Sequence, residues 1–236
     1  WRVERTKVEQ EISKTYQILL DHYEKTGKRS AWLLTVLDAN PDADEAKLRS
    51  WIKEYGDLDV CAEAYIRLAQ RMAYEDNPAE RMKVVREGIR RYPNYSRVNV
   101  LKNMEKEILS PRVSVTIPSA YPNKPIKVSV NYRNLERLDV EIYQLRLEAD
   151  SKELPKVNEK TVKKYGTLYR KETIDLLPTP DYRMTDTLAY LKPLPEGVYY
   201  VMMMDKTRAD VKDGTSLVVN AEMEIYRPLP DNKVEM

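Results

Sequence analysis

Apolar residues recur three and four apart from the start of the chain: Val8, Ile12, Tyr16, Leu19, Leu20 and Tyr23. That spacing draws one stripe along a helix, and Gly27 is a suitable stop. A short second helix is predicted over 30–37, ended by Asn40–Pro41. Asp42 or Asp44 can cap a third, which buries Leu48, Trp51, Ile52 and Tyr55 and ends at Gly56. Asp57 or Asp59 is expected to open a fourth, carrying Val60, Ala64, Tyr65, Leu68 and Met72. Asn77 followed by Pro78 starts a fifth, with Met82, Val85 and Ile89 inside, and Pro93 stops it. Ser96 is expected to cap a sixth, presenting Val100, Leu101, Met104 and Ile108.

The period changes from 3.6 to 2 at Pro111. Val113, Val115 and Ile117 alternate with polar residues, as do Ile126, Val128, Val130 and Tyr132. A third strand carries Leu138, Val140 and Ile142, then shifts parity to Tyr143, Leu145 and Leu147. The shift implies a β-bulge or a strand buried on both faces. The polar, lysine-rich stretch 148–164 has no period and is expected to be a long exposed loop. Strands follow over 165–177 and 182–191. Next comes LKPLPEGVYYVMMM (191–204), in which Gly197 permits a turn before seven consecutive apolar residues. Such a run predicts a central strand covered on both sides. Residues 206–214 are expected to form a charged hairpin turn, and a seventh strand is predicted from Leu217, Val219, Ala221, Met223 and Ile225. Pro228, Pro230 and Asp231 read as a linker.

The predicted fold class is therefore α+β in two domains. An all-α helical-hairpin domain spans 1–110, and a seven-stranded β-sandwich of fibronectin III or macroglobulin type spans 111–230. Small residues at tight crossings (Ala64, Ala69, Gly88) and a YPNY element at 92–95 make the helical part tetratricopeptide-like. A clean repeat of about 34 residues is absent from it.

Composition supports that boundary. All three Trp lie within the first 51 residues, and 11 of the 14 Pro lie at or after Pro111. Phe is absent, so the 17 Tyr supply most aromatic core volume. Each half, 1–110 and 111–236, carries 20 basic and 19 acidic side chains. This balance gives no electrostatic footprint for nucleic acid or an anionic membrane. No apolar run approaches the ~20 residues of a membrane-spanning helix, so this segment is not expected to span a membrane.

Candidate chemistry is sparse. His22 is the single histidine and reads as a surface residue; Cys61 is the single cysteine and reads as a buried thiol. Two such residues cannot build a zinc site, and neither belongs to a recognisable triad. The six Gly are scattered, so no phosphate-cradling loop is present. The basic series Arg81, Lys83, Arg86, Arg90, Arg91 and Arg97 is interleaved with Glu80 and Glu87, which predicts a solvated face. The acid pairs Asp42/Asp44 and Asp57/Asp59 read as helix caps. A glycosidase-type carboxylate pair cannot be picked from 38 acids. The expectation is no enzyme, no catalytic residue, no cofactor and no metal. If the helical domain leaves it uncovered, the face carrying Tyr199, Val201 and Met203 is the candidate interface.

The segment IPSAYPNKPIKVSVNYRNLERLDVEIYQL (117–145), with Tyr132-Arg133-Asn134-Leu135 and Ile142-Tyr143, resembles a domain of the bacterial alpha-2-macroglobulin family. LKPLPEGVYYV (191–201) resembles the turn and strand of the same macroglobulin-like domain, often called MG2. The likeness covers about residues 111–227. It implies an N-terminal scaffold segment of a protein in the bacterial cell envelope, periplasmic or anchored to the outer membrane. It also implies a parent that inhibits endopeptidases by trapping them. The expected partners are neighbouring domains of the parent chain and, through the parent, proteases. The bait segment and the Cys-Gly-Glu-Gln thioester of the family are not found in this sequence, and Cys61 is followed by Ala62-Glu63-Ala64. The alternative is a tetratricopeptide-like adaptor with an appended sandwich, binding an envelope protein or a glycan.

Overall fold

Among the described residues, six α-helices occupy the first part of the chain: α1 (Arg2–Lys25), α2 (Arg29–Ala39), α3 (Glu45–Glu54), α4 (Ala62–Arg71), α5 (Pro78–Arg91) and α6 (Val98–Leu109). Seven strands and one short helix follow: β1 (Arg112–Thr116), β2 (Ile126–Arg133), β3 (Arg137–Leu145), α7 (Val162–Tyr165), β4 (Gly166–Asp175), β5 (Thr185–Leu191), β6 (Gly197–Asp205) and β7 (Arg208–Val219). This computed structural model describes residues 2–74, 77–118, 120–146 and 157–219. The chain divides into two compact units, 1–110 with 181–183 and 111–180 with 184–236.

In the helical unit the apolar stripes of α2 to α6 converge on one core. Leu33, Cys61, Ala62, Ala64, Ala69, Val85 and Leu101 have no exposed surface. Small residues let the helices approach closely: a Cβ built on Gly88 would lie 2.7 Å from Leu101 Cδ1 and 3.1 Å from Tyr65 Cβ. Two of the expected caps form. Asp44 accepts from the Lys47 N–H at 2.8 Å, and Asn77 from the Glu80 N–H at 3.3 Å with Pro78 at the first helical position. The other expected caps do not form. Asp57 instead takes Arg29 in a two-pronged pair at 2.6 and 3.0 Å. Asp59 begins a 3₁₀ turn (Asp59–Cys61) without a side-chain cap, and Arg97 rather than Ser96 precedes α6. Local sequence offers several cap candidates per turn, and tertiary ion pairing selects among them.

Glu63 is a buried charge in this unit. Its carboxylate accepts from Tyr95 Oη at 2.9 Å and Arg97 Nη1 at 2.7 Å. Burial first, and the Glu63 bond second, push the Tyr95 phenol up to about 12. Burial and Glu141 do the same to Tyr143, also to about 12, and burial raises Tyr92 as well. Folding thus favours the neutral phenol. Below the ordinary value of 10 both states are neutral and this stability is fully present. Above it the unfolded chain ionises first, and stability is lost as pH rises towards about 12. Urea midpoints are therefore expected to fall steeply over that window. A phenolate absorbance titration of the folded protein should show these tyrosines ionising late. Normal titration of every tyrosine would contradict the assignment.

The second unit is an antiparallel β-sandwich. One sheet has the order β1-β2-β5 and the other β4-β3-β6-β7. Alternation does the folding work. Ile126, Val128, Val130 and Tyr132 of β2 point inward, as do Leu138, Val140 and Ile142 of β3. β3 itself keeps its alternation and an even register with β6 from Asp139 to Gln144. The predicted parity shift has two causes. Tyr143 and Leu145 face outward but are covered, packing with Val162, Tyr200 and Met202. The bulge lies on the partner strand, where Tyr169 is the extra residue between Arg170 and Leu168.

Two expected loops are more structured than their composition suggests. Of the stretch 148–164, residues 148–156 lie outside the described residues. The described part contains α7, whose Val162 is fully buried. The expected turn at 206–214 is only two residues long, Lys206 and Thr207. β7 begins at Arg208, buries Val211, and uses the Asp213 carboxylate to accept the Val115 N–H of β1 at 2.7 Å. A polar run becomes strand because β6 offers a ladder and β1 an unpaired donor. The predicted strand residues Ala221, Met223 and Ile225, and the predicted linker Pro228–Asp231, lie outside the described residues.

A half-buried ion pair ties β4 to the segment after β5. Arg170 Nε lies 2.7 Å from Glu172 Oε1, and Arg170 also donates to the carbonyls of Lys192 and Pro193. Glu172 Oε2 accepts the Lys192 N–H at 3.1 Å. Glu172→Ala would leave the guanidinium and that N–H poorly matched, so a loss of about 2–3 kcal/mol is expected. Urea denaturation followed by circular dichroism measures it; an unchanged midpoint would show the pair to be idle.

Candidate interaction surfaces

The basic series on α5 and after it, Arg81 to Arg97, is largely paired with carboxylates, Arg90 and Arg91 sharing Glu87. Lys83 pairs with Glu80, Arg86 with Glu105, Arg90 with Glu87, Arg97 with Glu63, and Arg81 reaches Glu107 at 3.5 Å. Arg91 donates to the Tyr65 hydroxyl at 3.1 Å. A phosphate would have to displace these carboxylates. His22 lies on the exposed side of α1 against the Tyr23 ring. Cys61 is fully buried, and burial pushes its thiol up, away from the reactive thiolate. Among the described residues no cluster of His, Cys, Asp and Glu could hold a metal ion, and no helix is long and apolar enough to cross a membrane.

Tyr199, Val201 and Met203, the interface face expected from the sequence, are 0%, 1% and 0% exposed. They form the centre of the inter-sheet core, covered by the three-stranded sheet of their own unit. The Tyr199 hydroxyl donates to the Pro195 carbonyl at 3.1 Å, and a Cβ on Gly197 would come within 3.2 Å of its ring. The other face of β6 is covered too: Tyr200 and Met202 are 3% and 7% exposed. The expected covering on both sides of this strand is thus found, and it removes these three residues from the surface.

The surfaces that remain uncovered lie elsewhere. On α1, Val8, Ile12 and Leu19 line a shallow groove with Lys7, Glu11, Thr15 and Tyr16. Among the described residues, the C-terminal part of that helix reaches the core through Leu20. The stripe was legible in the periodicity; its lack of cover was not. A second cleft, about 670 Å³, has Arg67, Arg71 and Arg81 along its wall with Asn40, Asp42 and Leu48. Arg67 is paired with Asp38 and Arg81 with Glu107, while Arg71 donates to the Asp42 carbonyl at 3.3 Å. On the sandwich, Leu188 and Tyr190 project from β5, the last strand of its sheet.

No protein-family model matches the chain, and no curated protein matches it. Matches to solved structures are partial. Two fragments of Escherichia coli alpha-2-macroglobulin align over 46% of this chain. One spans domains MG0-NIE-MG1, at 16% identity, TM-score 0.30 and 39% of its own length. The other spans NIE-MG1, at 21% identity, TM-score 0.31 and 60% of its length. A CARDB domain from Pyrococcus furiosus aligns over 47% of this chain and 88% of its own, at 16% identity and TM-score 0.27.

Proposed function

We propose that the chain is a non-catalytic scaffold and interaction segment of a bacterial alpha-2-macroglobulin-like envelope protein, and that its parent inhibits endopeptidases. The observation that carries the reading is the role of the residues on which the sequence resemblance rests. They are the structural joints of the sandwich. The Tyr132 hydroxyl donates to the Leu177 carbonyl at 2.9 Å, and Asn134 sits at φ 54° with its N–H on Thr179 Oγ1. Leu135, Ile142, Tyr143, Leu191 and Leu194 are buried. The strand orders β1-β2-β5 and β4-β3-β6-β7 also suit a fibronectin III or macroglobulin-type sandwich. Such residues build a module and perform no chemistry.

The experiment adds this chain, and separately the complete parent polypeptide, to a broad-specificity endopeptidase digesting a protein substrate. The parent is expected to slow digestion and this chain to leave it unchanged. Hydrolysis by the chain itself, or a parent without inhibitory effect, would overturn the proposal. The adaptor reading draws on the uncovered α1 stripe, whose aliphatic side chains suit a protein partner. The exposed tyrosines Tyr121, Tyr169 and Tyr190 lie on separate elements rather than on one glycan-binding strand.

A further inference from the structure

We propose that β5 pairs edge to edge with β5 of a second copy of this chain, antiparallel and centred on Leu188, joining two three-stranded sheets into one of six strands. The inference does not depend on the family reading. An edge strand exposes a row of unpaired N–H and C=O groups, and sheet proteins usually blunt it. Three of the four edges of this sandwich are blunted. β4 carries the Tyr169 bulge, and its Arg170 and Glu172 clamp the backbone at 192–193. β1 is five residues long and gives its Val115 N–H to Asp213. β7 is bridged at Val219 by Ala120.

Within Thr185–Leu191, β5 has none of these devices among the described residues; the clamp holds Lys192 and Pro193, just past its C-terminal end. Its sequence, TDTLAYL, contains no Pro and no Lys, and all seven residues pair with β2 without a bulge. Leu188 and Tyr190 are 55% and 63% exposed on its outer face.

The strand is complementary to itself. With Leu188 opposite Leu188, Asp186 meets Tyr190, Thr187 meets Ala189 and Thr185 meets Leu191, so no like charges oppose one another. Asp186 is the one carboxylate on the strand, and Asn131 already donates to it at 2.8 Å. Lys127 lies beside Tyr190 in the register with β2, so it would flank the partner's Asp186 across one strand. A seven-residue edge with two exposed apolar side chains buries less than the ~800 Å² per partner of a durable interface. The association is therefore weak and concentration-dependent.

Sedimentation of the whole chain across the micromolar to millimolar range tests it. A monomer–dimer equilibrium is expected, weakened about tenfold or more by Leu188→Lys, which places a charge on the dyad. Leu188→Cys is expected to form an intermolecular disulfide on mild oxidation, because directly opposed residues lie within disulfide reach. Tyr190→Cys is not, since its counterpart lies four residues along the strand. The native Cys61 is fully buried and does not compete. A chain that stays monomeric throughout, with no crosslink at position 188, overturns the proposal. So does a dimer unaffected by Leu188→Lys, which would point to another surface such as the α1 groove, and so does equal crosslinking at 190.

Discussion

Tyr199→Ala is expected to destabilise the sandwich by about 3–5 kcal/mol, the range for removing a large buried aromatic side chain. The ring is fully buried, stacks edge-on against Tyr169 at 5.8 Å between centroids, and anchors the turn through Pro195. Truncation leaves a ring-sized cavity between two sheets, each held rigid by its own backbone ladders, so collapse into the space is limited. It also strips the Pro195 carbonyl of its donor. A loss of this size is a large share of the stability of an ordinary domain. Far-ultraviolet circular dichroism in urea should show the sandwich unfolding at a much lower denaturant concentration. The result separates two roles for this face. A surface residue used for binding would lower affinity for a partner and leave the midpoint nearly unchanged. A wild-type midpoint for the alanine variant would contradict the core role assigned to Tyr199.

Gly88→Val is expected to cost about 3 kcal/mol in the helical unit, at the upper end of overpacking penalties. An alanine would gain about 1 kcal/mol of helix propensity, against a Cβ 2.7 Å from Leu101 Cδ1 and 3.1 Å from the root of Tyr65. Leu101 is fully buried and has little room to give; the Tyr65 contact is at Cβ and cannot swing away. Valine adds two methyl groups to the same space and loses χ1 freedom in a helix. Tryptophan fluorescence suits the measurement, because all three tryptophans lie within the first 51 residues and Trp51 is 6% exposed. A valine variant as stable as the wild type would mean that α5 stands further from α4 and α6 than it does here.

The sequence was most readable where one physical signal dominated. Asn77–Pro78 predicted the start of α5 because an Asx side chain and a ring-locked φ satisfy the same helix end. Gly197 predicted the turn into β6, where φ is +156°. It was least readable where several residues competed for one role, or where a polar run found its partner far along the chain. Asp57 resembles a cap and pairs with Arg29; Asp213 resembles a turn residue and bonds β1. Val162 sits in a lysine-rich stretch and still packs against Tyr143 and Tyr200, since a single apolar side chain carries no period.

Periodicity, by itself, determined the helical and sandwich parts, the change between them near Pro111, and the central, doubly covered position of β6. These follow from local geometry, because side chains three to four or two apart must share a face. Tertiary structure alone decided which apolar faces stay uncovered. Val8 and Ile12 read in sequence like any core stripe, and nothing along the chain says which element covers Met203. Burial depends on whether another element arrives opposite. That depends on the strand order and on which helices α1 meets, and no spacing within a single element encodes either.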